Sequence, residues 1–381
     1  MTEIAIMVEN SRAYGRTLIE GVASYAQKNC SWVLRPLATS EASSARLRRF
    51  DGIIARLADA QLAKRIAEAK VPAVDVFCQQ PIAGLAGVDS DHRQIGIMAR
   101  EFFKSRGFAH FAYCGFPGTT FSDIREQAYS NASTHVYSPR KRLPSDESQF
   151  YDERPDRIMD ARSLTRWVMD LPHPIAVFCC NDLRAIQLQH IAIDCGLRVP
   201  QDLAILGVDN DTIACSFAEV PISSIDPNSF EVGRSAARIL KAMIAHHPAV
   251  KHHKVYHVRP GEITERTSTE FMPVDPPWFG RTLLHIEKNI YRPVPASEIF
   301  ALAERSSTFV ENVFRQKIGK PVQAYITSVK MREAKRLLSD PSLRISEIAY
   351  RCGFSSPQYF CRTFAMTFGT SPRNFRERQK A

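Results

Sequence analysis

Gln358 and Arg362 lie four residues apart in LRISEIAYRCGFSSPQYFCRTFAMTFGTSP, Leu343–Pro372. Gln and Arg are the side chains that bond bidentately to adenine and guanine edges in a major groove. Presenting them there takes a pair of short helices. Ile345, Ile348 and Ala349 fall at i, i+3, i+4, one apolar face of a first helix. Gly353 supplies the positive φ that a sharp inter-helix turn needs. Ser355 or Ser356 caps the second helix, and Pro357 suits its first turn. Tyr359, Phe360, Thr363 and Phe364 are expected to be able to face inward, with Gln358, Cys361, Arg362 and again Thr363 towards the exposed side. The bland alternative is a small helical bundle whose loop contains a glycine.

Two observations favour a DNA reader. Val294–Gly319 repeats the plan: an apolar helix, a turn, then a Ser-capped helix ending F-R-Q-K-I-G, which parallels F-A-M-T-F-G at 364–369, with Pro321 and Pro372 following. The second is charge. Residues 276–381 carry 18 Lys and Arg against 8 Asp and Glu, so they hold the whole net charge of +10, while residues 1–275 have 32 of each sign. A basic excess confined to two helix-turn-helix repeats is the footprint of a phosphate-binding surface.

Residues 281–378 resemble the C-terminal DNA-binding domain of the AraC/XylS regulators, through A-x-x-x-G-F-S-S-x-x-Y-F-x-R-x-F at Ala349–Phe364. The expected readers are Ser307, Thr308, Glu311, Asn312 and Arg315 in the first unit, and Ser356, Pro357, Gln358, Cys361 and Arg362 in the second. Glu311 would accept from cytosine or exclude other bases; equally, it could only pair with Arg315 at i, i+4. A helix over Val322–Leu338, bearing Lys330, Arg332, Lys335 and Arg336, would hold the two units apart on successive major grooves.

At 381 residues the chain has room for two to three domains. No apolar run approaches the ~20 residues of a membrane helix. The N-terminus, MTEIAIMVEN, lacks the marks of a signal peptide. Nine cysteines without a C-x-x-C pair fit a reducing, cytoplasmic setting.

Residues 1–265 alternate apolar runs with helical stretches. Strands are predicted at Ile4–Val8, Gly52–Ile54, Ala73–Val76, Phe111–Cys114, Ala176–Cys179, Leu203–Val208 and Val255–Val258. Helices are predicted at Gly15–Gln27, Ala60–Lys70, Gln94–Arg106, Leu164–Asp170, Asp182–Cys195 and Phe230–Ala245. That alternation is the pattern of an α/β fold with parallel sheets flanked by helices, where ligands bind at the carboxyl ends of the strands. Ser138–Pro155 reads as a polar surface loop. The domains are expected at 1–267 and 281–381, the latter all-α, with a proline-rich linker at 268–280.

The first half resembles the sugar-binding domain of LacI/GalR-type repressors. The likeness rests on G-V-D-S-D-H-R-Q-I-G-I-M-A-R-E-F at 87–102, S-D-I-R at 122–125, V-F-C-C-N-D-L-R-A at 177–185, L-R-V-P-Q-D-L-A-I-L-G-V-D-N-D at 197–211 and S-S-I at 223–225. A sensor of that kind followed by an AraC-type reader is the architecture of xylose-operon regulators, which the chain resembles end to end. The resemblance implies a two-lobed, periplasmic-binding-protein-like domain, one lobe over 1–114 with 227–247 and the other over 115–226 with the final strand. It also implies a small sugar between them, with xylose as the lead. Recognition of hydroxyls needs carboxylates and amides, an orienting Arg and aromatic faces. Asn10, Asp89, Arg125, Asp182 and Asp209 stand at strand ends, and Tyr14 and Phe121 are the candidate walls. The resemblance puts Arg125, Asp182 and Asp209 on the sugar. Asp182 could instead cap its helix, and Asp209 could be a turn residue.

The expected function is therefore a sugar-controlled transcription regulator, an activator by family. Its expected partners are promoter DNA, RNA polymerase and a second copy of the chain. Two rivals are a sugar-processing enzyme with a DNA-binding tail and a ligand-independent DNA-binding protein. No Gly-rich phosphate loop, G-x-S-x-G or H-E-x-x-H occurs, so the sequence calls for no cofactor and no catalytic set. The paired histidines His246–His247 and His252–His253 lack the companions of a metal site.

Overall fold

Near-continuous apolar runs make strands that are covered on both faces. β3 (GIIA), β8 (IAVFC) and β9 (LAILGV) are buried at every residue. The structure is a computed structural model. It describes residues 2–57, 60–78, 85–137, 160–245, 254–340 and 342–380. The predicted loop at 138–155 and both histidine pairs lie outside these residues. The chain divides into two compact units, Met1–Glu270 and Phe271–Ala381.

In the first unit the chain begins with β1 (Thr2–Met7), β2 (Trp32–Pro36), β3 (Gly52–Ala55), β4 (Ala73–Asp75) and β5 (Ala86–Ser90). It then crosses to β6 (His110–Cys114), β7 (His135–Val136), β8 (Ile175–Cys179), β9 (Leu203–Val208) and β10 (Ser223–Ile225). It returns for β11 (Val255–Val258) and ends with β12 (Ile263–Thr264). The first sheet has the order β11-β5-β4-β3-β1-β2 and the second β12-β10-β9-β8-β6-β7. Pairing is parallel except between β10 and β12.

Helices cover both sheets: α1 (Ala13–Asn29), α2 (Ser44–Leu47), α3 (Ala60–Ala69), α4 (His92–Ser105), α5 (Thr120–Tyr129), α6 (Ala161–Met169), α7 (Asp182–Asp194), α8 (Thr212–Phe217) and α9 (Ser229–Ile244). The period of two along β1 shows why. Ile4 and Ile6 join Leu18 of α1 and Val232 of α9 on one face, while Ala5 and Met7 join Leu62 and Ile66 of α3 on the other.

The lobe boundaries differ from expectation in two places. β6 belongs to the second sheet, paired with β8 from His110 to Cys114, so the chain changes lobe directly after β5 rather than after residue 114. β11, the predicted last strand, pairs with β5 in the first sheet, and only the short β12 joins the second. Strand pairing decides this, and it is non-local.

The second unit is helical: α10 (Pro277–Lys288), α11 (Ala296–Ala303), α12 (Ser307–Ile318), α13 (Val322–Leu337), α14 (Ile345–Arg351), α15 (Pro357–Phe368) and α16 (Pro372–Lys380). It has two cores that share one helix. Val322, Ile326 and Val329 of α13 pack with α10, α11 and α12, whereas Met331 and Ala334 pack with Ile348, Phe360 and Phe364. Both ends of the predicted 268–280 linker are folded: Ser268 and Thr269 are buried in the first unit, and Trp278 and Phe279 in the second.

Candidate ligand site and nucleic-acid interface

The sensor candidates converge at the carboxyl ends of the strands. Asp89 is the penultimate residue of β5, Asp182 and Asp209 follow β8 and β9, Arg125 and Phe121 sit on α5, and Tyr14 on α1. Arg125 is 2% exposed and donates to the Cys180 carbonyl. Its Nη2 lies 3.3 Å from His92 Nδ1. A guanidinium only donates, so Nδ1 accepts, and His92 carries its proton on Nε2, which donates to Asp89 Oδ2 at 3.1 Å. His92 thus links a carboxylate of the first sheet to an arginine of the second lobe. Aromatic faces lie alongside. Phe121 stands 6.4 Å from Phe77 and 6.1 Å from His92, with the Arg125 guanidinium 5.0 Å from its centroid. Tyr14 bonds to Ser90, and burial, with Asp89 close by, raises its phenol well above the ordinary range.

Asp182 does not cap its helix. Asn181 does, accepting from Arg184 N at 2.9 Å. The Asp182 carboxylate instead receives Ser224 Oγ at 2.5 Å and Asp211 N at 2.9 Å. Gly207 makes room for it, since a Cβ there would lie 2.2 Å from Oδ1. Burial first, and then the charge of Asp209, push the Asp182 pKa up to about 8. Asp209 is raised to about 6 by burial, against the pull of Arg125, Arg12 and Arg56. Asp209 and Asn210 both have positive φ, 115° and 48°. That turn is locked by Asn210 N to Ser224 Oγ (2.9 Å), Asn210 Nδ2 to Thr264 Oγ1 (3.0 Å) and Arg266 to Asn210 Oδ1 (2.9 Å). Asn visits the left-handed region readily, but Asp209 at φ 115° lies beyond it, a conformation held only where the surroundings over-determine it.

Asn10 stands apart: it is exposed, and none of these contacts includes it. Sequence reasoning missed His92, which could have been noticed in D-S-D-H as the first helical residue behind a strand end. It also missed Arg56, stacked 3.6 Å over Phe77, and Asp75, whose carboxylate gathers Leu57 N, Phe77 N and Cys78 N at 3.3, 3.0 and 3.1 Å. No local pattern marks either.

In the second unit α12 and α15 are capped alike, Ser306 accepting from Phe309 N and Ser356 from Tyr359 N. The structure so chooses Ser356 over Ser355. Val310 and Phe314 face the first core, Phe360 and Phe364 the second. Opposite them Ser307, Thr308, Asn312, Arg315, Gln358 and Arg362 are exposed, with Pro357 and Cys361 half-buried. Tyr359 corrects the expectation of an inward ring: it is 56% exposed, because Phe360 and Phe364 fill the face that meets α13. Glu311 is also turned to other work. It is half-buried and accepts from Val322 N at 3.2 Å, which caps α13, so neither its pairing with Arg315 nor a free carboxylate is what the structure has.

The chain matches a periplasmic binding protein-like domain over residues 100–269 and a helix-turn-helix domain over 301–378. It is similar to the xylose operon regulatory protein of Escherichia coli K12, 24% identical over 98% of this chain and 96% of that protein. A solved structure described as a xylose-binding transcription activator shares the fold at a TM-score of 0.60 and 23% identity, with 98% and 97% of the two chains covered. The transcriptional activator RhaR of Yersinia pseudotuberculosis is 39% identical over 20% of this chain and 26% of its own length. The chain is a DNA-binding transcription regulator with a periplasmic-binding-protein-like sensor half. This regulator carries its reader at the C-terminal end, on two helix-turn-helix units, and its sensor on two sheets that are parallel but for the edge strand β12. Among its described residues no helix is long and apolar enough to cross a membrane.

Proposed function

We propose that the effector is a small sugar, xylose first, bound where Tyr14, Asp89, Phe121, Arg125, Asp182 and Asp209 meet. The observation that carries this reading is the convergence itself, with groups that donate and groups that accept brought from both lobes. Asp89 and Asp209 would accept from hydroxyls, Arg125 would donate, and Phe121 would cover a C–H face. Asp182, whose pKa is raised by burial and by Asp209, would hold a proton more readily than an ordinary carboxyl and so supply a donor as well. Asn10 remains a candidate at the rim. Xylose is favoured by the names of the full-length relatives.

Closure of the lobes on the sugar would change how the reader helices meet paired DNA sites, a coupling typically worth about 1–3 kcal/mol. Ser307, Thr308, Asn312 and Arg315 would work in one major groove and Ser356, Pro357, Gln358, Cys361 and Arg362 in the next, ~34 Å away. Activation through RNA polymerase, a homodimer, a cytoplasmic location and the lack of enzymatic turnover complete the reading. Calorimetric titration with xylose, arabinose, ribose and glucose tests it. Saturable binding of one sugar without turnover, weakened by about 1.5–3 kcal/mol in Asp209→Ala, supports it, and silence across the panel sinks the neutral-sugar reading. One observation favours a second reading, an acidic or phosphorylated sugar: Arg12 and Arg56 act on Asp209 in addition to Arg125.

A further inference from the structure

Lys330 lies at the middle of α13, between the residues that feed the first core and those that feed the second. It is 7% exposed. Its ammonium donates to the carbonyl of Arg292 at 3.0 Å and to that of Gly353 at 2.9 Å. Arg292 belongs to the loop joining α10 to α11, at the foot of the first helix-turn-helix unit. Gly353 is the turn of the second unit, where φ is +64°. Those two segments also touch: a Cβ on Gly353 would lie 2.5 Å from the Arg292 carbonyl oxygen. The face of Phe354 completes the surroundings, its centroid 5.5 Å from Nζ. Burial lowers the lysine's pKa, and the nearby Arg292 charge adds to that; Cys352 opposes both.

A buried ammonium is costly unless its hydrogens find acceptors. Here the acceptors come one from each unit, and a backbone carbonyl can leave only if its whole loop moves. We infer that Lys330 is a positioning residue that fastens the two helix-turn-helix units to each other, and so fixes the separation of DNA half-sites that they read together. This makes it distinct from the neighbouring basic residues of α13. Its charge is spent inside the protein, and it is not a phosphate contact. The inference rests on the DNA-reading function of this half.

The test uses the full chain and a duplex recovered by in vitro selection from a random library with the unaltered protein. Affinity is then measured on that duplex, on each half-site alone, and on duplexes with one base pair inserted or removed between the halves. Lys330→Met fills similar volume and removes both bonds; Lys330→Arg keeps a cation that can reach both carbonyls. Lys330→Met is expected to bind each half-site within about twofold of the unaltered protein. On the full duplex it should lose about tenfold and distinguish the three spacings poorly, with Lys330→Arg restoring the discrimination. Unchanged affinity and spacing preference in Lys330→Met would overturn the inference. So would an equal loss on every duplex with a salt slope shallower by about one, the mark of a lost phosphate contact. If Lys330→Met does not fold, Lys330→Gln, which keeps one donor end, must show the same loss of spacing preference for the inference to stand. Failure of the unaltered protein to select any sequence would instead remove the DNA-reading function itself.

Discussion

In the first unit Asp75, Asp89, Arg106, Arg125, Asp160, Asp182 and Arg184 are all buried; in the second, among the described residues, Lys330 is the single buried charge. The basic excess of the second unit therefore lies on its surface, where phosphates are met. The first unit, near neutral overall, has drawn ionisable groups inward and given them ionic, hydroxyl or backbone partners. Arg184 makes the clearest case: it is 1% exposed, bonded to Asp160 at 2.6 and 3.1 Å and to Gln187 at 3.1 Å. The same residue types thus do opposite work. Charge inside the first unit is desolvated and held by fixed internal partners, whereas charge that tracks a polyanion works in water and is screened by salt.

The largest effect is expected at Arg184. Arg184→Met strands the Asp160 carboxylate, and a chemical denaturation curve of the sensor transition should show a loss of about 3–5 kcal/mol. Pairing it with Asp160→Asn should return most of that. A rescue no better than the single variant would mean that the pair is not a closed system.

The second largest effect is expected at Asp209, whose removal should cost ligand affinity about 1.5–3 kcal/mol by calorimetry. Sensor stability should also depend on pH. The folded-state pKa values of Asp182 and Asp209 are raised, to about 8 and about 6, so the folded state holds their protons more tightly than the unfolded chain does. Their contribution is full below the unfolded value of about 4. It is lost as the pH rises through 6 for Asp209 and through 8 for Asp182. Thermal melts between pH 4 and 9 should show this decline, and Asp182→Asn should flatten its upper part. A flat profile in the unaltered protein would contradict the buried-acid description.

On the displayed side, Arg362→Ala should weaken specific DNA binding by about 1–3 kcal/mol while leaving the melting temperature unchanged. A matching fall in stability would show that Arg362 is structural after all. A further pair of variants separates the two helix-turn-helix turns. The first places Glu304 at φ 53° where the second places Gly353 at φ 64°. Gly353→Ala should destabilise the second unit by about 1–2 kcal/mol from backbone strain alone, with the Arg292 contact adding to it, and Glu304→Gly should relieve a smaller strain in the first.

Much of the reader was legible because its signals are local. A positive-φ glycine, a serine cap, a proline in the first turn and apolar residues at i, i+3, i+4 all act within a dozen residues. Where reading failed in this half, a contact from another helix was responsible: Tyr359 was displaced outward by Phe360 and Phe364 against α13, and Glu311 was recruited by Val322 N. The sensor was legible as an alternation of strands and helices, yet its lobe boundaries were not. Parallel neighbours such as β5 and β11 lie more than 160 residues apart in the chain, and no local pattern says which strand edge a returning segment will find.

The sequence by itself determined the α/β sensor pattern, the all-α reader, the division of charge between them and the short polar motifs at strand ends. Each of these depends on composition or on spacings of a few residues. The tertiary structure alone decided which polar groups share a site: His92 between Asp89 and Arg125, Asp182 against Gly207, and Lys330 between Arg292 and Gly353. A buried charge is stable only where its partners converge, and convergence is a property of packed elements rather than of neighbouring residues.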